Sequence, residues 1–264
     1  MPAYLIELEV DGARFNGTQV QAFGRTVQGA IGEALAVLDP TATVRAGSRL
    51  DQGVSARAYP AVCRMEREWT PAILGLALNQ KLPADLVAVR CAPVDDDFNP
   101  QRVACVKTYS YTILQRPVRP VLWPRCWWLR DLPQAEILGD LAALIPGRRD
   151  LSGFASLRHD ETDGQDPVRE YLSAAWTSEP QRDGLVHRFA IAGKGFLYKQ
   201  IRGLVGAMVD VAQAKHTRAD FLIARDGGWG APRLGNVAPA EGLCLESVAY
   251  EADLGWVEVS VANR

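Results

Sequence analysis

The chain carries 264 residues, 48% of them hydrophobic, with 29 basic against 31 acidic side chains and a formal net charge of −2. That length can bury one large core or two modest ones, no apolar run is long enough to cross a bilayer, and MPAYLIELEV lacks the charged-then-apolar layout of a signal peptide. Cysteines at 63, 91, 105, 126 and 244 are odd in number and form no C-x-x-C pair, which argues against a disulfide framework or a cysteine zinc site and for a reducing cytoplasm.

The first hundred residues read as alternating elements. AYLIELEV (3–10) sets Tyr4, Ile6, Leu8 and Val10 on one face, the pattern of a half-buried strand. TVQGAIGEALAVL (26–38) has helical spacing, with Thr26 as N-cap. Strands are predicted at 41–47 and 57–66, a helix over 70–80 opened by Thr70 and Pro71, and a strand at 84–94. The order is β-α-β-β-α-β, the split βαβ or ferredoxin-like unit.

The second half repeats that order with additions. Strands are predicted at 105–114, near 125–130, at 169–178, 185–193 and 243–250, and helices at 133–145, about 195–214 and 217–225. The polar stretch 155–168 is predicted as a mobile loop. The expectation is an α+β protein of two ferredoxin-like halves, their antiparallel sheets side by side about a central active-site cleft. The first half covers 1–104 and the second 105–264.

Several chemistries lack their residues. His159, His187 and His216 fall in a loop, a strand and a helix start, with no partner spacing. VDDDF (94–98) is a strand-end acid run without the alternation or glycine of a calcium loop. No Walker or dinucleotide glycine pattern follows a strand. Metal sites are therefore not expected, and hydride and phosphoryl transfer drop out.

What remains is a set of stretches that each have a plain structural reading. Asp51 in AGSRLDQGVSARAYPA (46–61) could simply form a turn beside Gly53. Tyr109 and Tyr111 in KTYSYTIL (107–114) could be one packed sheet face. In the helix that GKGFLYKQIRGLVGAMV (193–209) opens, Ile201, Leu204, Val205, Met208 and, just beyond, Ala212 form the buried stripe. Lys199 and Arg202, three apart, are neighbours on another of its faces, where they could be solvated.

Together and in order, these stretches resemble the tRNA pseudouridine synthases of the TruA type. The family's N-terminal signature stands here as Asp11-Gly12, Phe15, Gly17-Thr18-Gln19, Gln21 and Arg25-Thr26-Val27-Gln28-Gly29. Its aspartate stretch stands as Ser48-Arg49-Leu50-Asp51-Gln52-Gly53-Val54-Ser55-Ala56. Asn79-Gln80-Lys81-Leu82-Pro83, Lys107-Thr108-Tyr109-Ser110-Tyr111 and Asp150-Leu151-Ser152-Gly153-Phe154 follow. The helix motif at Phe196 to Gly206 and Ala238-Pro239-Ala240-Glu241-Gly242-Leu243 complete a match from about 10 to 250.

The resemblance implies the pseudouridine synthase fold and a cofactor-free isomerase. Uracil in a tRNA, in the anticodon stem-loop, is cut from its ribose, turned and rejoined through carbon. It implies Asp51 as the catalytic carboxylate, by attack on the sugar or by removal of a ribose proton. Arg49 and Arg202 would hold it ionised, and Tyr109 would stack on or act on the extruded base. Gly53 would let backbone approach closely. Lys199, Arg57, Arg148, Arg149 and Lys194 would grip RNA, with Arg64, Arg67, Arg116, Arg119 and Arg125 as further candidates. A homodimer bound to tRNA, away from any membrane, is implied as well.

This chain departs from the family at Thr18 (tryptophan), Ser48 (glycine), Leu50 (threonine), Ser55 (histidine), Gln101 (arginine) and Gly203 (asparagine). These positions shape the pocket and grip RNA, which leaves the RNA and the uridine open. A catalytically idle RNA-binding relative of the same fold stays the alternative. A glycosidase-like use of Asp51 would need a second carboxylate, and no pairing stands out.

Overall fold

The computed structural model describes residues 1–122, 125–157, 166–182 and 184–260. His159, Trp123, Pro124 and the central part of the expected 155–168 loop lie outside them. In chain order the elements are β1 (Ala3–Val10), α1 (Val27–Leu38), β2 (Thr43–Ala46), β3 (Ser55–Arg64), α2 (Pro71–Asn79), β4 (Leu86–Val94), α3 (Pro100–Val103), β5 (Ala104–Gln115), β6 (Trp127–Leu129), α4 (Ile137–Ala142), β7 (Gly147–Asp150), β8 (Val168–Gln181), β9 (Gly184–Gly193), α5 (Gln200–Ala212), α6 (Arg218–Asp226), β10 (Leu243–Tyr250) and β11 (Val257–Glu258). This is a mixed α+β protein, and β1-α1-β2-β3-α2-β4 follows the order read from the sequence.

The chain divides into two compact units, one of Met1–Cys105 with the chain from Cys244 onward, the other of Val106–Leu243. The last strands, which the sequence order places in the second half, pair with the first. β10 runs parallel to β3 through Cys244 opposite Ser55 and Leu245 opposite Ala56. β11 pairs with β4 through Val257 opposite Cys91.

In the first unit β1 lies between β3 and β4, antiparallel to both, and β2 pairs with the end of β3. Thr26 caps α1 by accepting the Gly29 N–H at 3.2 Å, and Ile31 and Leu35 turn inward without exposure. Pro71 opens α2, whose Leu74 and Leu78 are equally buried. Each such side chain stabilises the fold by about 1.5–3 kcal/mol. The alternation in β1 predicts one wet face, but Leu5 and Glu7 are buried too. Glu7 tolerates this because Arg90 donates to both of its oxygens, at 2.7 and 2.8 Å.

In the second unit β5, β9, β8 and β7 are joined antiparallel in that order, and β6 runs parallel to β5. β7 was not legible in the sequence. The helix expected over 133–145 shortens to α4, with Pro133 ahead of it and Gly139, a poor helix former, inside. The helix expected from about 195 starts only at Gln200, because Lys199 at its N-cap adopts a left-handed φ of 57°.

Candidate active site

On the first unit, Arg49, Asp51 and Gly53 share the bend that joins β2 to β3. The Val54 N–H closes the turn on the Asp51 carbonyl at 3.2 Å. Gly53 has a φ of +83°, which a side chain would strain, so the glycine is what lets the chain double back here. Asp51 is half-buried and Arg49 is exposed.

The bend is held from below by positions at which this chain departs from the resembled family. Thr18, 2% exposed, accepts the Leu50 N–H on its hydroxyl at 2.7 Å and donates to the Ser48 carbonyl at 3.3 Å. Ser55 accepts the Gly12 N–H at 3.1 Å, which ties the Asp11-Gly12 turn to the start of β3. Leu50 is buried. Gln101 donates to the Ala46 carbonyl at 3.0 Å, so the position aligned with an arginine braces β2. Thr18, Ser48 and Leu50 are thus joined by hydrogen bonds at the bend, while Ser55 and Gln101 brace its flanks.

On the second unit, Tyr109 lies on β5, 7% exposed, with Phe196 edge-on at 5.3 Å between ring centres. Phe196 also meets Tyr171 at 5.9 Å. The segment between β9 and α5 thus folds back over Tyr109. Lys107, two residues earlier on the same face, has its ammonium pKa pushed down by burial.

α5 is not an amphipathic surface helix. Twelve of its thirteen residues are buried, and Arg202 alone reaches outward. Its Nε donates to the Ala238 carbonyl at 2.8 Å, and the Ala238 N–H returns a bond to the Arg202 carbonyl at 3.0 Å. Next to this strut the Tyr111 hydroxyl donates to the Pro239 carbonyl at 2.7 Å. Gly203, aligned with an asparagine, packs so closely that a Cβ there would stand 1.9 Å from the Phe154 carbonyl oxygen. Lys199 is not on the helix face beside Arg202. Its ammonium sits 4.9 Å over the Tyr198 ring.

The expected RNA-gripping cations differ in their commitments. Arg57 pairs with Glu246 at 3.2 Å and Lys194 with Glu170 at 2.8 Å. Arg64 is spent on Asp96 at 3.1 Å, and Arg67 lies 4.5 Å over the Trp69 ring. Arg149 donates to the Pro146 carbonyl at 3.0 Å. Arg148 is exposed on β7 opposite Glu170. The sequence motifs assign no role to Lys107 or Phe196. Period-two spacing from Tyr109 was the signal available for Lys107. Among the described residues no helix is long and apolar enough to cross a membrane.

Comparison with known proteins adds an independent line. A family model described as tRNA pseudouridine synthase matches residues 141–251. The tRNA pseudouridine synthase A of Cereibacter sphaeroides is 32% identical over 259 residues, covering 96% of this chain and 98% of that protein. That of Methylocella silvestris is 33% identical, covering 95% and 99%. That of Moorella thermoacetica is 33% identical, covering 95% and 100%. Identity of this level over essentially the full length of both partners takes in both units and the Asp51 bend alike, and on it the chain belongs to the tRNA pseudouridine synthase A family.

Proposed function

We propose that this protein isomerises uridine to pseudouridine in tRNA, in the anticodon stem-loop, without a cofactor. The reaction moves C1′ of the ribose from N1 to C5 of the uracil, and a proton leaves C5 while N1 gains one. Asp51 is the catalytic carboxylate of the sugar step, with Arg49 and Arg202 as its cationic partners and Tyr109 as the group that meets the extruded base. Arg57, Arg148, Arg149, Lys194, Lys199 and the backbone at Gly53 serve the RNA. The enzyme works as a homodimer in the cytoplasm.

The observation that carries the reading is the full-length match to relatives named for this activity. The half-buried placement of Asp51 on a braced bend beside an exposed arginine supports the assignment of its role.

The test is single-turnover formation of pseudouridine on unmodified tRNA transcripts, read as tritium released from uracil C5 and mapped to position. Asp51→Asn should lower the rate at least about a hundredfold while tRNA binding persists. Equal rates in wild type and Asp51→Asn would remove Asp51 from the chemistry. Binding without turnover in the wild type would leave the idle relative.

A further inference from the structure

Adjoining the Asp51 bend, which it shares through Arg49, the first unit holds a polar pocket of about 200 Å³ along β2, lined by Gln19, Gln28, Val44, Arg45, Ala46, Arg49 and Gln101. At about 30 Å³ per water, this is room for six or seven waters or one planar ring. β2 pairs with β3 on one side only. The carbonyls of Val44 and Ala46, on the other side, accept from Gln28 Nε2 at 3.1 Å and Gln101 Nε2 at 3.0 Å. Of a carboxamide's two ends only the nitrogen can donate to a carbonyl, so these bonds orient both side chains and leave each Oε1 as an acceptor.

The cations at this pocket stand apart from most others. Arg25, Arg57, Arg64, Arg90 and Arg225 each pair with a carboxylate. Arg45 and Arg49 are exposed, and their guanidiniums make no ion pair or hydrogen bond among the described residues. The guanidinium of Arg45, which no proposed role claims, beside two oriented amide acceptors suits a nucleotide, with an anionic phosphate for the former and base amino hydrogens for the latter.

We propose that this pocket is a nucleotide subsite of the RNA surface, taking one phosphate at Arg45 and the amino-bearing edge of a base against Gln28 and Gln101. The subsite rests on the tRNA reading above and extends it to a residue, Arg45, outside the family motifs. Arg49 is two residues from Asp51, so a strand held here leads to the proposed catalytic carboxylate.

Binding of unmodified tRNA transcripts, and of labelled hexa-adenylate and hexa-uridylate, should be measured by anisotropy across a salt series with wild type, Arg45→Ala, Arg45→Lys and Gln101→Ala. Arg45→Ala should weaken tRNA binding roughly tenfold and lower the slope of log affinity against log salt by about 0.7. Arg45→Lys should restore the slope. Gln101→Ala should reduce the preference for hexa-adenylate without changing the slope. Exposed Arg45 has no partner to lose, and a thermal melt matching the wild type confirms folding. Unchanged affinity and slope in Arg45→Ala overturn the subsite, as does a wild type with no affinity for RNA. A wild type whose binding depends on Arg45 but which forms no pseudouridine keeps the subsite and overturns the proposed activity instead.

Discussion

Thr18 and Leu50, thirty-two residues apart, are joined by two hydrogen bonds, the Leu50 N–H to the Thr18 hydroxyl at 2.7 Å and the Thr18 N–H to the Leu50 carbonyl at 3.2 Å. The residue immediately before Asp51 is thereby clamped to the N-terminal signature. Thr18→Val keeps the shape and removes the hydroxyl, taking away the acceptor of the Leu50 N–H and one donor to the Ser48 carbonyl. Stability should fall by about 1–3 kcal/mol, read as a lower urea midpoint. Thr18→Ser should recover most of it. Turnover at saturating tRNA should fall more than affinity, because the clamp positions Asp51 rather than touching RNA.

Gly203 is the second position where a departure from the family fits its surroundings. Gly203→Asn would drive a Cβ to 1.9 Å from the Phe154 carbonyl, and backbone on both sides leaves little room to yield. The expected loss is about 1–3 kcal/mol or more, measured by chemical denaturation. Wild-type stability in this variant would show that α5 and the Ser152–Phe154 turn can separate cheaply.

Tyr111 and Tyr109 occupy one strand face but do different work. Burial pushes the Tyr111 phenol far above its usual range, and its hydroxyl anchors Pro239 beside the Arg202 strut. Tyr111→Phe should cost about 0.5–1.5 kcal/mol and lower turnover modestly through Arg202. With Tyr109 as the proposed contact to the extruded base, Tyr109→Phe should lower turnover more than it lowers stability. The pair of variants, assayed by melting and by single-turnover rate, separates anchor from reactant.

His187 gives the fold a dependence on acid. It is fully buried, with Ser178 Oγ at 2.8 Å from Nδ1 and Gln115 Oε1 at 2.9 Å from Nε2. Since Gln115 Oε1 only accepts, Nε2 carries the proton and Nδ1 accepts from Ser178. Burial lowers the pKa below the ordinary 6.5. As pH falls through that value the unfolded chain takes up a proton that the native state refuses, so stability declines, by at most about 1.4 kcal/mol per pH unit. Urea midpoints at pH 7.5, 6.5 and 5.5 should fall in that order for the wild type, and more shallowly for His187→Gln.

Much of this was legible from periodicity and punctuation. The limits of β1 and α1 follow from alternation, Thr26 and the helical spacing of Val27, Ile31 and Leu35. The Asp51 bend was legible from Gly53 and its neighbours. What escaped depends on partners far along the chain. No local pattern says that β10 joins β3, that Glu7 is buried because Arg90 meets it, or that Thr18 holds Leu50. The start of α5 was misplaced because a left-handed Lys199 has no signature in its side chain. Thr18, Ser55 and Gln101 read as losses when compared one letter at a time, yet each makes a bond that the bend or its flanks use.

The outer side of β2 has a consequence for self-association. An unpaired strand edge invites a strand from another molecule, and proteins guard such edges with charge, bulges or cover. Here the two carbonyls that a newcomer would need, at Val44 and Ala46, already accept from Gln28 and Gln101, and exposed Arg45 sits between them. The edge is closed to a second strand while its groove stays open to a small polar guest. Replacing both glutamines with valine would therefore be expected to lower solubility, because it bares a template for sheet extension.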